Sequence, residues 1–569
     1  MNRNVESHFS LLPQANISRS RFDRSQGVKF TGDIGRCIPF FVDEVLPGDT
    51  FDITSSKVVR LQTLLKPIFD NVYLDTYWFF TPSRLVWTHW RELMGENTQS
   101  AWIPEVEYSV PQIKFTSKAV ATGDILDYMG VPVGVTGQED HEFSVSALPF
   151  RCYQLIMNEF FRSENLTDPI NIQTGDADVD YADIEDVKPF LAAKYFDQFT
   201  SCLPSPQKGP PVSVPAGFNT TSSVGDVGWP VRSKNAFYYY GTENSDIING
   251  TSSPEYSWAF NPNYSSLGTR LVKGYANNYN QESDISGGVV WYDNNSKSGL
   301  YPANLFAAPA ANQSTGLSIN VNDLRYAFQL QKLYERDARG GTRYTELLQS
   351  HFGVSNPDAR LQRPEYLGGN RIGISIHQVA NQSQGENDFL GDLGAMSLTT
   401  DKHHDFVKSF TENGYLIGIC VARYDHSYAQ GLERFWTRKQ RFDFYWPVFA
   451  NLGEEPVYKR ELCATGTSKD DEVFGYQERW FDYRYKPSRV CGEFRPGIPN
   501  TLDSWHLSDY YETPPSLSDE WIREDKTNVD RVLAVTSAVS NQFMADFYVK
   551  NYTTRPMPLY SIPGLIDHH

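Results

Sequence analysis

Three aspartates in the segment GDADVDYADIED are the residues whose spacing comes closest to that of a metal site. Asp176, Asp178 and Asp180 fall at the first three ligand positions of a calcium-binding loop. The match then fails, because Tyr181 stands where the sharp turn requires glycine and Val187 stands where the bidentate glutamate is needed. We interpret the segment as a solvated acidic loop, and we predict no metal ligands in the chain.

Motifs for hydrolytic catalysis also lack their essential partners. The sequence has neither a G-x-S-x-G nucleophile turn nor a G-x-x-x-x-G-K-[ST] phosphate loop, and His141-Glu142 is not followed by the second histidine of a zinc-binding helix. Ser205 and Lys208 match S-x-x-K, but they lie in a proline-rich loop instead of opening a helix. We therefore predict no catalytic residues and no cofactor.

Composition favours a β protein that makes extensive contacts. Aromatic residues make up 14% of the 569 positions and charged residues only 21%, and both strands and interface cores are rich in aromatic side chains. A chain of this length exceeds the usual limit of a single core, so we expect several domains or one domain with large insertions. The longest apolar run, residues 415–422, is too short for a bilayer, and we predict no membrane insertion.

Residues 75–90, DTYWFFTPSRLVWTHW, contain six large aromatic side chains. The first half alternates as a strand does, with Trp78 and Phe80 on one face and two more rings on the other. Both faces are therefore apolar, and we expect each to be covered by a second sheet or by a neighbouring chain. The residues that we assign to core or inter-subunit packing are Trp78, Phe80, Trp87 and Trp90.

A helix is predicted directly after this strand. Ser83 is a suitable N-cap, and apolar residues recur at helical spacing from Val86 to Met94. Gly95 supplies a C-terminal stop.

Strand-like runs occur at both ends of the chain, with helices and a loop-rich segment between them. Residues 37–45, 50–61 and 72–80 predict strands, and residues 322–341 and 342–353 predict two helices. The later segments that predict strands are GYLIGICVARY, RFDFYWPVF, FGYQERWFDYRYKP and NQFMADFYVKNY. This order predicts a sandwich whose first and last strands pair and whose connections have grown into insertions.

The segment 212–305 differs in composition from the rest of the chain. Of its 94 residues, 41 are Gly, Ser, Asn or Thr and 15 are aromatic, which is the mixture found in binding loops. A flexible linker is the alternative, but disordered segments are poor in aromatic residues. We predict a folded, surface-exposed recognition insertion, with candidate contact residues Tyr238, Tyr239, Tyr240, Tyr256, Trp258 and Tyr264.

The formal net charge of −18 argues against a surface that embraces nucleic acid or an anionic membrane. The first thirty residues have the opposite sign of net charge, because basic residues outnumber acidic ones there. This arm is either a solvated, partly disordered terminus or a segment that reaches a polyanion. The candidate nucleic acid contacts are Arg3, Arg19, Arg21, Arg24 and Lys29.

Long motifs along the chain resemble one protein family. They are DTYWFFTPSRLVWTHWRELMGE, LRYAFQLQKLYERDARGGTRYTELLQSHFGV, DARLQRPEYLGGN, RFWTRKQRFDFYWPVFANLGE, FGYQERWFDYRYKPSRVCGEF, LDSWHL and TRPMPLYSIPGLIDHH. In this order they closely resemble the major capsid proteins of gokushoviruses, the tailless single-stranded DNA phages of the microvirus family. The likeness covers nearly the whole chain outside residues 212–305.

The resemblance implies a mainly β fold, an eight-stranded viral jelly-roll sandwich with long helical and loop insertions. It also implies that sixty copies close into a T=1 icosahedral shell around a circular single-stranded DNA genome. The expected regions are an interior-facing arm (1–36), a first part of the jelly-roll core (37–211), a surface insertion that forms a threefold protrusion (212–305), and a helical insertion with the rest of the core (306–569).

The partners that the resemblance implies are an internal scaffolding protein, a DNA-pilot minor protein, a small basic DNA-binding protein and a bacterial surface receptor. The protein would be part of the virion, assembled in the host bacterial cytoplasm, and would not be an enzyme. An alternative function is a carbohydrate-binding or glycan-cleaving β-sandwich protein. Cleavage would need two carboxylates roughly 5 to 9.5 Å apart in an aromatic cleft.

Overall fold

The computed structural model describes residues 18–97, 107–138, 140–212, 321–382 and 390–560, together with the backbone of short strands between residues 230 and 307. Numbered in chain order, the first strands are β1 (Ser20–Asp23), β2 (Gln26–Gly32), β3 (Ile38–Val45), β4 (Thr50–Leu61), β5 (Val72–Pro82), β6 (Gln112–Lys114), β7 (Ser144–Ser146) and β8 (Val179–Asp180). The helices of this part are α1 (Trp90–Leu93), α2 (Ile125–Tyr128) and α3 (Leu148–Ile156), and a π-helical turn, Met157–Phe161, continues α3.

The chain divides into two compact units, one formed by residues 1–210 and 333–569 and the other by residues 211–332. The strands of the second unit are β9 (Pro230–Ser233), β10 (Tyr238–Tyr240), β11 (Ile247–Asn249), β12 (Trp258–Ala259), β13 (Tyr301–Pro302) and β14 (Leu305–Ala307). They pair as two antiparallel sheets, in the orders β11-β10-β13 and β12-β9-β14.

Helices and further strands follow this unit. The helices are α4 (Val321–Gly340), α5 (Tyr344–Phe352), α6 (Lys459–Leu462), α7 (Asp519–Ile522) and α8 (Thr527–Asp530). The strands are β15 (Glu365–Gly373), β16 (Ile376–Ala380), β17 (Leu393–Ser397), β18 (Thr399–Ser409), β19 (Gly414–Tyr424), β20 (Glu454–Tyr458), β21 (Val473–Glu478) and β22 (Phe543–Arg555). The long connection from β19 to β22 contains only short elements in the described chain.

Two antiparallel sheets dominate the first unit. One has the order β1-β22-β4-β18, with β2 also paired to β22, and the other has the order β15-β5-β19-β3. Strands that follow each other in the chain, such as β3 and β4, lie in different sheets. The last strand, β22, pairs with β1 and β2, which lie in the N-terminal arm where the sequence predicted no strand. The first predicted strand, residues 37–45, is β3 and pairs with β19 instead of β22.

Buried and exposed side chains alternate strictly along β22, so one face of this strand belongs to the core. Phe543, Ala545, Phe547 and Val549 are buried, and the residues between them are exposed. Successive side chains of a strand point to opposite faces, so one face of β22 packs inward while the other faces solvent.

Aromatic contacts join the inner faces of the two sheets. Phe40 of β3 lies 4.9 Å from Phe547 of β22, and Trp78 of β5 lies 5.8 Å from Phe406 of β18, measured between ring centroids. Residues from both sheets form one continuous buried cluster. The fold of this unit is therefore mainly β, and its two sheets form a β-sandwich.

The outer face of the second sheet is covered as well. Phe79 on β5 and Ile417 on β19 pack in a separate buried cluster with Phe150 and Ile156 of α3. Tyr153 of the same helix donates its hydroxyl hydrogen to the carbonyl oxygen of Cys37, at 2.7 Å. A helical layer of the same chain thus shields the second apolar face of β5.

The strands predicted over residues 50–61 and 414–424 are confirmed, and the predicted helices correspond to α4 and α5. The strand predicted over residues 441–449 is wrong, since two 3-10 turns, Arg441–Asp443 and Pro447–Phe449, occupy that segment. Pro447 carries no backbone N–H for a ladder.

The single helix predicted from Ser83 to Met94 is also wrong. A 3-10 turn at Ser83–Leu85 and the four-residue α1 replace it, and no side chain caps the first turn. Trp87 lies between them, fully buried, and its Nε1 donates to Asp176 at 2.7 Å. Tertiary packing of this ring overrides the helical spacing. Gly95 does end α1 in the left-handed region, with φ of +99°.

Within the described part of the chain, every helix is too short or too polar to cross a lipid bilayer.

Candidate assembly and nucleic acid surfaces

The four aromatic residues assigned to packing lie at different depths in the molecule. Trp78, Phe80 and Trp87 are almost fully buried within this chain, and Trp90 is half-buried against Trp87. The first sheet and the helical layer, both of the same chain, cover the two faces of β5. A contact of these rings with a neighbouring subunit is therefore not needed to shield them from water.

The basic residues near the N-terminus lie along the edge of the first sheet, where β1 and β2 pair with β22. Arg3 lies outside the described residues. The partners of the others are the Gly48 carbonyl and Thr50 hydroxyl for Arg19, Asp52 for Arg21 (3.7 Å), Asp43 for Arg24 (2.6 Å) and Asp546 for Lys29 (3.4 Å).

These ion pairs reduce the positive charge that the arm offers to a polyanion. Arg21 keeps 59% of its side chain exposed and Lys29 keeps 77%, so both remain accessible at the surface. Exposed ion pairs of this kind are weak, and a phosphate group could compete for the same cations. Whether they contact nucleic acid stays a prediction.

A groove of about 1010 Å³ lies between β2 and the segment around α2. Its charged lining residues are Lys29, Asp33, Arg36, Arg60, Asp127, Lys188, Lys526 and Asp546. Acidic partners hold three of the cations, because Lys29 pairs with Asp546, Lys526 pairs with Asp33 (3.0 Å) and Lys188 pairs with Asp124 (2.8 Å). Acidic partners therefore compensate three of the five cations that line the groove.

The candidate receptor residues fall in the second unit, of which the backbone of short strands is described. Tyr238, Tyr239 and Tyr240 form β10, and Trp258 begins β12. Tyr256 and Tyr264 lie outside the described residues. Their part in attachment stays a prediction.

The three aspartates with calcium-loop spacing are each bound to protein groups instead of converging on one point. Asp176 accepts hydrogen bonds from Trp87 and from His89, and the bond from His89 is the main reason that the pKa of Asp176 is lowered. Asp178 accepts from the backbone N–H of Gln112 at 2.9 Å. Among the described residues, no group of three or more His, Cys, Asp or Glu side chains could hold a metal ion.

A buried ionic cluster organises the long connection between β19 and β22. His426 lies between Asp509 (2.9 Å) and Glu524 (2.8 Å), and all three side chains are almost completely buried. Burial opposes charging of the imidazole, but the two carboxylates outweigh it and raise the pKa of His426 to about 10. Lys194 adds a second cation, 3.3 Å from Asp509. These charges fix distant parts of the connection to each other.

The segment 435–448 presents an exposed aromatic surface that the sequence did not single out as a site. We define the aromatic face as Phe435, Trp436, Phe442, Phe444, Tyr445, Trp446 and Val448, each at least 40% exposed. Their signal in the sequence is the interleaving of aromatic residues with Arg and Lys, without strict alternation. This pattern differs from that of β5, where the rings are buried.

The family to which the chain belongs follows from comparison with known proteins. A family model described as capsid protein (F protein) matches residues 10–565, which is nearly the whole chain. The chain belongs to this capsid protein family. It is therefore a major capsid protein of a phage and a component of the virion.

Relatives from three phages agree with this assignment. The capsid protein VP1 of Chlamydia phage 1 is 38% identical, with 99% of this chain and 98% of that protein covered. The capsid proteins VP1 of Bdellovibrio phage phiMH2K and Spiroplasma virus 4 are each 36% identical, over 99% and 98% of this chain and 98% and 97% of theirs. These phages are gokushoviruses, so the resemblance stated from the motifs is confirmed.

A capsid protein must associate with copies of itself. Exposed apolar surface is a candidate for such contacts, because association removes it from water. The packing residues of β5 are shielded within the protomer, whereas the aromatic face is open in the protomer. The family is one of structural proteins, and the comparisons give no support to the carbohydrate-binding alternative.

Proposed function

We propose that sixty copies of this capsid protein close into a T=1 icosahedral shell around a circular single-stranded DNA genome. The proposal rests on the family match over residues 10–565. A closed shell of identical subunits needs protomers that fold independently and carry complementary surfaces. The protein would act through assembly and not as an enzyme.

The strand order supports an eight-stranded viral jelly roll as the building block of that shell. With β1 and β2 taken as one strand, the core strands are β1/β2, β3, β4, β5, β15, β18, β19 and β22. The first, eighth, third and sixth pair in one sheet, and the second, seventh, fourth and fifth pair in the other. This alternation between two sheets is the arrangement expected of two interlocked Greek keys.

The insertion at residues 212–305 would form the protrusion on each threefold axis and attach to a bacterial surface receptor. Its position between β5 and β15 in the chain, outside the core strands, supports this role. Its mixture of aromatic and small polar residues suits adaptable recognition. The separate compact unit of residues 211–332 would let this part vary without disturbing the sandwich.

The N-terminal region up to residue 36 would face the shell interior and contact DNA through Arg3, Arg19, Arg21, Arg24 and Lys29. These few cations, several of them paired with carboxylates, are too few to neutralise a genome. We therefore include a small basic DNA-binding protein among the partners. An internal scaffolding protein and a DNA-pilot minor protein would complete assembly in the host cytoplasm.

Electron microscopy of the full chain, expressed in a bacterium with the internal scaffolding protein, tests the proposal. We expect uniform closed particles whose reconstruction contains sixty jelly-roll subunits with protrusions at the threefold axes. A protein that sediments as a monomer at every salt concentration would contradict assembly. A shell with a different subunit number would contradict the T=1 arrangement alone.

A further inference from the structure

The segment 435–448 exposes apolar surface where most soluble proteins would bury it. Trp436 is 67% exposed, Phe442 is 61% exposed and Val448 is 86% exposed. Large contiguous apolar surface on a soluble chain commonly marks an interaction site.

Contacts between neighbouring side chains link the exposed rings. Arg441 lies over Trp446, 4.9 Å from the ring centroid, and also over Phe442 at 5.7 Å. Arg438 lies between Phe444 and Tyr483, and Tyr483 contacts Tyr445 at 5.9 Å. The group around Arg441 and the group around Arg438 meet at the consecutive residues 444–446, so Phe442, Phe444, Tyr445 and Trp446 form one connected surface. Phe435 and Trp436 form a second pair, with ring centroids 4.6 Å apart.

The backbone beneath this surface is fixed although it forms neither strand nor long helix. The carboxylate of Asp443 accepts hydrogen bonds from the backbone N–H groups of Lys439 and Gln440, each at 2.8 Å. Trp480 donates from Nε1 to the carbonyl oxygen of Phe449 at 2.9 Å. Rings on such a framework are presented in a set geometry, which lowers the ordering cost of binding.

Charge distribution distinguishes two classes of partner for the face. Interleaved aromatic and basic residues are also found in proteins that stack single-stranded nucleic acid. Here several of the cations are already neutralised, because Arg438 pairs with Asp482 and Lys486 pairs with Glu433. The remaining cations of the segment, Lys439 and Arg441, are few for a polyanion, so a protein partner is favoured.

The same charges favour a second copy of this chain. Each chain carries a formal net charge of −18, so two copies repel each other over most of their surfaces. The exposed stretch 439–448 contains Lys439 and Arg441 but one carboxylate, Asp443, whose oxygen is engaged with the backbone. Contact at this point therefore encounters less repulsion than contact elsewhere and can pair cations with an acidic neighbour.

The face supplies most, but not all, of the area that such a contact buries. With roughly half of each ring exposed and about 200 Å² per aromatic side chain, six rings offer on the order of 600 Å². A standard interface buries about 800 Å² on each partner. Trp and Tyr, which the face contains, and Arg, which lies beside it as Arg438 and Arg441, are the residue types that dominate binding energy in interfaces.

We propose that the aromatic face at residues 435–448 is a principal subunit contact of the shell, covered by a second copy of this chain. This inference rests on the proposed self-assembly and adds the segment that mediates it. The aromatic rings would lie at the desolvated centre of the contact, with Lys439 and Arg441 beside them.

The test uses Trp436→Ser and Phe442→Ser in the full chain, with Phe196→Ser as the matched control. Phe196 is 89% exposed and lies outside the aromatic face, so its substitution removes a comparable exposed ring. We expect both face variants to raise the protein concentration needed for particle formation by about tenfold or more, as truncation of a central interface residue does. The control should assemble as the unsubstituted protein does, and circular dichroism should show the same fold in all four proteins.

Sedimentation of the four proteins separates the outcomes. Equal assembly of face variants and control, with the unsubstituted protein forming particles, would overturn the aromatic face as a subunit contact and leave self-assembly intact. Particles that form normally but retain less DNA, or attach less well to the host, would replace the second copy by nucleic acid or by another protein. An unsubstituted protein that never associates would overturn both proposals.

Discussion

The strand β5 and the aromatic face are both rich in large aromatic side chains. These side chains are buried in β5 and exposed in the aromatic face. In β5 the rings of Trp78 and Phe80 are buried between two sheets, and the backbone hydrogen bonds go to neighbouring strands. In the aromatic face the rings are exposed, and side chains such as Asp443 satisfy the backbone. Aromatic content alone thus does not tell core from surface.

The charges between the rings account for the difference. Residues 76–82 contain no charged side chain, so both faces of that strand must be removed from water. Residues 435–448 contain Arg438, Lys439, Arg441 and Asp443 among the rings. These groups hold the segment through polar contacts at the surface, and the rings remain available to a partner. In these two regions, interleaved charge is the pattern that distinguishes the exposed rings from the buried ones.

The largest expected effect comes from removing a ring of the core. Trp78→Ala deletes a fully buried side chain that contacts Phe40, Phe41 and Phe406. We expect a loss of about 3 to 5 kcal/mol in the free energy of unfolding, through lost burial and the cavity left behind. Urea denaturation of the protomer measures it. A loss below about 1 kcal/mol would mean that β5 is not the centre of the sandwich.

Removing the buried imidazole should have the next largest effect. His426→Gln leaves Asp509 buried beside one cation, Lys194, and removes the histidine that pairs with the buried Glu524. Loss of one partner from a buried ion pair costs about 3 kcal/mol or more. His403→Gln is the control, since His403 is 38% exposed and should contribute far less. Equal losses in the two variants would contradict a structural role for the cluster.

The same cluster predicts a pH dependence with a definite sign. The pKa of His426 is raised from 6.5 to about 10, so the folded state holds a proton that the unfolded state releases over this interval. Its stabilisation is complete below pH 6.5 and is lost as the pH rises through 10. The melting temperature of the unsubstituted protomer should therefore fall toward that of His426→Gln between these values. A constant difference between the two would contradict the raised pKa.

The sandwich could be predicted from the sequence to the extent that local patterns determine it. The alternation in β22 and the apolar run of β19 give these strands nearly their observed bounds, because each must bury at least one face. The cluster around His426 could not be predicted, since its two carboxylates lie 83 and 98 positions away along the chain. The strand expected at residues 441–449 fails for a related reason, because distant side chains and not a partner strand bind its backbone.

A smaller loss in the free energy of unfolding is expected when a side chain is enlarged at a tightly packed position of the core. In Gly418→Ala the added methyl would lie 2.8 Å from Phe40 Cζ and 3.0 Å from Trp78 Cζ3. Overpacking of this kind costs about 1 to 3 kcal/mol in the free energy of unfolding. Gly394→Ala, also in a strand, is the control, because its nearest atom would be 3.8 Å away. Indistinguishable denaturation midpoints would show that the two rings can move apart.

The smallest effect on the protomer is expected from the aromatic face itself. Trp436→Ser removes a ring that is 67% exposed and that contacts only Phe435 among the described aromatic contacts. We expect the free energy of unfolding of the isolated protomer to change by less than about 0.5 kcal/mol, as for most surface substitutions. Denaturation is measured at a protein concentration low enough to prevent association, because assembly would add concentration-dependent stability.

The small change in the free energy of unfolding expected for Trp436→Ser is informative because a large change is expected for Trp78→Ala. If Trp436→Ser leaves the protomer intact and impairs assembly, its ring contributes its burial energy only when a second copy is present. If instead it destabilises the isolated protomer by more than about 1 kcal/mol, the ring already packs within its own chain. The aromatic face would then be an extension of the core, and the contrast between the two aromatic regions would disappear.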